Sequence, residues 1–366
     1  MSGISDTEDI LAKSGDNELL SEFATVRKFT LGGSNGPSFK VAENLGATPI
    51  QITTKNGTKL LSSTIDDGNY LRTLGGAGTV GGIPIVGPAG RTYSKNGKAE
   101  IIVDGQTVVS FDKTLLGKNG RIPAYKNEAM SHGPIFTSQK WNLTKLEQKG
   151  PNGVDGIKVT YTLPLLDDDR SDEVVDKLLV AGEYSKPGQM EAIYTLEPDE
   201  NGEVRFLSEI KIDPGEGNTM YLGAFAQHTF LASETGDQLQ TNAKSEYAAP
   251  EASPELPTGK IIDVQKKHNF AEAQVIHEDS AGALETVLTG YEGTPTATLI
   301  RENGLKVVSE AGGAYDGFLL CNKGTGNLML EPIHGAPNAF ANKSENPVLL
   351  ENGQRARYQY SLSLAP

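Results

Sequence analysis

One cysteine, Cys321, occurs in 366 residues. That excludes an intrachain disulfide framework and a zinc site built from cysteine alone. No stretch approaches the ~18 consecutive apolar residues that a membrane-spanning helix needs. The opening segment, "MSGISDTEDILAKSGDNELL", lacks the basic start and apolar middle of a secretory signal. Basic residues are also scarce: 33 Lys and Arg stand against 47 Asp and Glu, a formal charge of −14. A polyanion would be repelled at long range, so nucleic acid is not an expected partner, and the lack of a long apolar run leaves no membrane expected either. A reducing cytoplasm is the simplest home, where the Asn-x-Ser/Thr triplets at Asn56, Asn142 and Asn342 carry no glycan.

Several nucleotide and hydrolase signatures are missing as well. There is no Gly-x-x-x-x-Gly-Lys-Ser/Thr loop, no His-Glu-x-x-His and no Gly-x-Ser-x-Gly. "GGAGTVGG" at 75–82 is glycine-rich but opens no helix, so it makes no phosphate cradle. The acidic run Asp167–Asp169 lacks the ligand spacing of a calcium loop and reads as solvated.

What is present is β structure. From Phe29 onward, runs such as "SFKVAENLG", "PIQITTKNG", "AEIIVDGQTVVSF" and "EAIYTLEPDENGEVRFLSEIKI" alternate with turn residues. Asn-Gly within "KNG" at 55–57 and 95–97, and Asp-Gly within "VDGQ" at 103–106, suit tight hairpins that require positive φ. Ile193 and Thr195, then Val204 and Phe206, alternate as in half-buried antiparallel strands. Two segments depart from this. Residues 5–23 are a helix candidate where Ser5 and Glu8 fit a capping box but Gly15 interrupts the spacing, so they read as a loosely attached segment. Residues 165–184, where Val174, Val175, Leu178 and Leu179 take helical spacing, read as a short helix or an insertion. The Pro-rich stretch 248–259 reads as a loop rather than a linker, because strands continue on both sides. The expected organisation is a polar segment over 1–25 and one all-β domain over 26–366, a large β-sandwich with few short helices.

Candidate chemistry rests on five histidines and the strand-end carboxylates. "MLEPIHGAPNAF" (329–340) places Glu331 at the end of an apolar run, either as an ordinary strand-end carboxylate or at the mouth of a pocket. His228 lies inside the apolar run "GAFAQHTFLAS", where an unpartnered imidazole is costly. It is either a core histidine bonded to backbone or a functional group. His132, before Gly133, suits a turn, and His277 in "HEDSAG" suits the surface.

Six segments, in collinear order, resemble the aldose 1-epimerase (galactose mutarotase-like) family. They are "GGIPIVGPAGRTYSKNGKAEIIVDGQ", "SHGPIFTSQKWNL", "QHTFLAS", "YAAPEASPELPTGKIIDV", "HNFAEAQVIHEDSAGALETVLT" and "LMLEPIHGAPNAFANKSENPVLLENGQRARYQYSLSL". The resemblance implies a supersandwich with a concave sugar cleft and an enzyme, an isomerase that interconverts the α and β anomers of a free sugar. It also implies site roles: Glu331 as general base, His228 as general acid, and Arg91 and His132 holding the sugar. No metal and no cofactor is implied. Ring opening takes a proton from O1–H and delivers one to the ring oxygen, so a carboxylate and an imidazolium on opposite sides of C1 suffice. Departures are specific. Lys267 stands where the family has the aspartate before His-Asn-Phe, Gly90 replaces an asparagine and Thr229 a tyrosine. Either the register is shifted and Asp263 serves, or Lys267 suits an acidic sugar derivative, or it points to solvent; "GGIPI" with Glu331-Pro332 echoes hexose-6-phosphate mutarotases. The rival expectations are a non-catalytic carbohydrate-binding protein on the same fold and a polysaccharide-modifying enzyme. A single tryptophan weighs against the latter. The partner expected is a monosaccharide or sugar derivative, bound by a monomer or homodimer.

Overall fold

The computed structural model describes residues 26–32, 36–43, 45–62, 81–87, 91–95, 98–103, 106–112, 128–131, 136, 141–149, 155–166, 179–180, 186–199, 203–248, 260–265, 269–276, 284–322, 327–335 and 348–365. These residues form 27 strands and no helix, and their strand pairings are antiparallel. The helix expected at 5–23 lies outside the described residues. Of the one expected at 165–184, Leu165 closes the strand Asp155–Leu165 and Leu179–Val180 is a two-residue strand, while 167–178 and 181–184 lie outside.

Hairpin chemistry sets much of the local order. Thr54 and Thr58 close the first "KNG" turn, with Gly57 at φ 83°. Lys95 pairs with Lys98 and Val103 with Gln106, so in each case two residues join the strands. At "GGIPI", Gly82 has φ 77° and sits where a Cβ would lie 2.2 Å from the Pro49 carbonyl oxygen, which only glycine allows. That close approach lets the Gly82 carbonyl accept from the Phe230 N–H at 3.0 Å.

Two large sheets face each other. The nine-stranded sheet centres on Lys306–Gly313, Ala356–Ala365, Val204–Asp213, Gly188–Pro198 and Asp155–Leu165. The eight-stranded sheet runs Ile261–Asp263, Ser245–Tyr247, Leu284–Thr289, Gly317–Asn322, Asn327–His334, Phe225–Gln227 and Ile85–Val86, with Thr229–Ala232 also paired to Asn327–His334. Val204–Asp213 alternates buried and half-buried residues as expected. Gly188–Pro198 does not: Ala192 through Glu197 are buried on both faces, so this central strand is covered where a half-exposed one was expected.

Inward rows of both sheets, including Phe206, Tyr194, Tyr358, Phe225, Phe318 and Leu330, build one large core. Phe225 and Tyr358 meet across the interface with ring centroids 4.2 Å apart. The opposite face of the eight-stranded sheet carries a second, smaller apolar cluster: Val86, Ala224, Ala226, Val287, Leu319, Cys321 and Ile333.

At one end of the sandwich a buried carboxylate ties three segments together. Glu43 accepts from Arg27 Nε at 2.6 Å and from the Tyr161 hydroxyl at 3.1 Å. Burial, and then the charge of Glu43, push the Tyr161 phenol well above its ordinary value, so the hydroxyl stays a donor. Arg27→Leu would strand the carboxylate. A stability loss of about 1–3 kcal/mol is expected, read as a lower urea midpoint with unchanged slope. Tyr161→Phe, which removes one bond, is expected to cost about 1 kcal/mol.

Candidate functional site

The strand Asn327–His334 alternates its side chains between two environments. Leu328 and Leu330 enter the large core, whereas Met329 and Ile333 pack with the smaller cluster on the other face. Glu331 therefore belongs to that second face. The neighbouring chain supplies its partner. Phe225 pairs with His334, Ala226 with Ile333, Thr229 with Leu330 and Phe230 with Met329. Continued through the interval, this register sets His228 directly opposite Glu331.

Which way the backbone points decides how close the two side chains come. The His228 N–H donates to the Pro84 carbonyl at 3.1 Å, and Phe230 likewise bonds Gly82, both away from Asn327–His334. His228 and Glu331 thus form a non-hydrogen-bonded cross-strand pair, the kind in which opposing Cα atoms approach to about 4.5 Å and side chains crowd together. His228 Nε2 lies 2.9 Å from Glu331 Oε2, with the side chains only 1% and 2% exposed. The sequence suggested groups on opposite sides of a sugar carbon. They instead stand side by side and touch.

Leu319 lies directly across the ladder from Glu331 and Val287 lies across from Leu319, so the pair sits on an apolar floor. Phe230 flanks the imidazole, ring centroids 6.3 Å apart. In such surroundings the low local dielectric strengthens any electrostatic interaction between the two side chains. Glu331 Oε1 is buried and has no hydrogen-bond partner among the described residues. A carboxylate oxygen so placed keeps an acceptor site that no described donor fills.

Of the remaining candidates, Arg91 begins the strand Arg91–Lys95 and pairs in register with Ser131, the residue before His132. The side chain of Arg91, together with His132, His268, His277 and Lys267, lies outside the described residues. Asp263 ends the edge strand Ile261–Asp263 and is exposed. Among the described residues, no group of three or more His, Cys, Asp or Glu side chains converges as metal ligands would.

Sequence reasoning missed the layer beneath the pair. Gln227, fully buried, accepts from the Tyr315 hydroxyl at 3.0 Å and donates to Ser208 Oγ at 2.8 Å. One signal for it was available: in the inward row Val204, Phe206, Ser208, Ile210, Ile212, only Ser208 is polar.

His334 closes the same strand. Its Nδ1 lies 3.1 Å from the Tyr358 hydroxyl. Burial holds its pKa below the ordinary 6.5, against the pull of the nearby Asp316 carboxylate. Asp316 is raised, also by burial.

No family model matches the sequence, and no curated protein matches it. Solved structures do match. A galactose mutarotase-like protein from Clostridium acetobutylicum is 15% identical, with 93% of this chain and 95% of that one covered at a TM-score of 0.62. A GalM/aldose epimerase homologue from C. elegans is 16% identical, covering 93% and 99% at 0.61. The galactose 1-epimerase of Lactobacillus acidophilus is 15% identical, covering 93% and 94% at 0.61. The chain has the galactose mutarotase-like fold, and at these identities the likeness is one of fold.

Because His334 is held neutral in the folded protein, the unfolded chain binds its proton more readily. Stability is expected to be full above pH 6.5 and to fall as pH drops from 6.5 toward the lowered folded value. His334→Gln is expected to flatten that part of a plot of urea midpoint against pH. Asp316 acts with the opposite sign at lower pH, its raised carboxyl favouring the fold as pH falls toward 3.8.

Proposed function

We propose that the protein is a mutarotase: it interconverts the α and β anomers of an aldose or an acidic sugar derivative by general acid/base ring opening. The observation that carries this reading is the direct, buried contact between His228 Nε2 and Glu331 Oε2. When His228 holds its proton, the contact is an ion pair, with the base unprotonated and the acid protonated. That is the state from which ring opening starts.

The two oxygens on an anomeric carbon are geminal, closer together than a hydrogen-bond length. Two catalytic atoms side by side at 2.9 Å suit them. Glu331 takes the O1 proton while His228 gives one to the ring oxygen. Rotation about C1–C2 and the reverse transfers close the other anomer. The apolar floor of Leu319 and Val287 suits the C–H face of a pyranose, and Arg91 and His132 are assigned to its hydroxyls with directional donors. Lys267, where the family has aspartate, is assigned to an acidic substituent. Residues 1–25 are assigned to a segment separate from the single domain, and the compartment to the cytoplasm.

A second reading has one observation in its favour. His228 Nε2 and Glu331 Oε2 already lie 2.9 Å apart and both side chains are nearly inaccessible, as in a sugar-binding protein that has lost turnover. NMR exchange spectroscopy of anomers separates the two, run on free aldoses, uronic acids and hexose 6-phosphates. The mutarotase reading expects exchange faster than the buffer rate on at least one sugar. Glu331→Gln and His228→Asn should each lower the rate by roughly 10²–10⁴-fold. Binding without accelerated exchange in any sugar class would replace it with the second reading.

A further inference from the structure

We infer that Gln227 is a positioning residue for His228, acting through a hydrogen-bonded clamp that joins the two sheets underneath the site. The catalytic half of this inference rests on the proposed mutarotase reading; the structural half does not.

His228 stands at a gap in its own strand: Phe225–Gln227 ends just before it and Thr229–Ala232 begins just after. The gap has a covalent cause. The N–H groups of His228 and Phe230 point toward the Gly82–Pro84 side. By alternation, the backbone groups of Gln227 and Thr229 point toward Asn327–His334. The register sets Gln227 opposite Pro332. Proline has no N–H, so the bond that the Gln227 carbonyl would receive there is lost. The residue beside the imidazole is thus short of one backbone tie.

Its side chain supplies another. Gln227 points away from His228, into the large core, and both ends of its carboxamide are engaged. The Tyr315 hydroxyl donates to Oε1 at 3.0 Å, and Nε2 donates to Ser208 Oγ at 2.8 Å. Ser208 belongs to the opposite sheet, on Val204–Asp213. Tyr315 lies on the connection between Lys306–Gly313 and Gly317–Asn322, stacks on Phe225 and meets the Tyr358 ring at a tilt. Gln227, Ser208 and Tyr315 are all buried. A satisfied network in a low-dielectric core resists displacement, because breaking any bond leaves a buried polar group alone. The clamp fixes the height of Gln227 over the second sheet, and so the height and tilt of His228 next to Glu331.

The test uses Tyr315→Phe and Ser208→Ala, each of which removes one bond and leaves Gln227 in place. Tyr161→Phe serves as a control that loses a buried hydroxyl bond elsewhere. Two readouts are taken on the full chain: anomer exchange, split into kcat and KM, and the 15N resonances of the His228 imidazole. Expected for both clamp variants are a kcat loss of ~10- to 100-fold with KM within about twofold, and displaced or broadened imidazole resonances. The control should match their loss of stability while keeping parental kcat and resonances. Clamp variants with parental kcat and unmoved resonances, or a control that changes both equally, would overturn the inference. If the parent exchanges no sugar, the mutarotase reading fails separately. The positioning role is then decided by the resonances alone: moved in the clamp variants only supports it, unmoved removes it.

Discussion

The candidate site depends on one pairing register, the one that sets His228 opposite Glu331 across two antiparallel strands. Had either strand slipped by one residue, one of the two would face the core and the other the opposite side, because side chains alternate at every step. Within that register, the non-hydrogen-bonded type of the pair draws the two side chains into contact. Burial then makes the contact consequential: a carboxylate and an imidazole at 2.9 Å on an apolar floor have little water to compete with.

The eight-stranded sheet presents two different faces. One face joins the large core with Phe225, Phe318 and Leu330, and the other carries the pair among Leu319, Val287 and Ile333. Stability and site are separated by the thickness of one sheet. The Gln227 clamp crosses the core on the first face and so couples the position of the site to the packing of the second sheet. The cluster of Arg27, Glu43 and Tyr161 uses the same device away from the site, a buried polar group held by partners from distant segments.

Much of this was legible before any coordinates. Turn residues at regular intervals marked the strands, and Asn-Gly and Asp-Gly marked hairpins that the pairings at Lys95–Lys98 and Val103–Gln106 bear out. His228 stood out because an imidazole inside an apolar run needs a partner. Coverage was not legible. Gly188–Pro198 reads as half-buried from its own residues, yet both of its faces are covered, since that depends on what other segments pack over it. The Gln227 network was hidden for the same reason: an amide in a strand gives no sign of which sheet it will reach.

By itself, the sequence determined the all-β class, the lack of a disulfide framework and the residue types available for proton transfer, because alternation, turn chemistry and composition are local properties. The tertiary structure alone decided that His228 and Glu331 touch, shoulder to shoulder rather than across a gap. Pairing between strands distant in the chain is fixed by the whole ladder and its hydrogen-bond phase, which no short stretch of residues encodes.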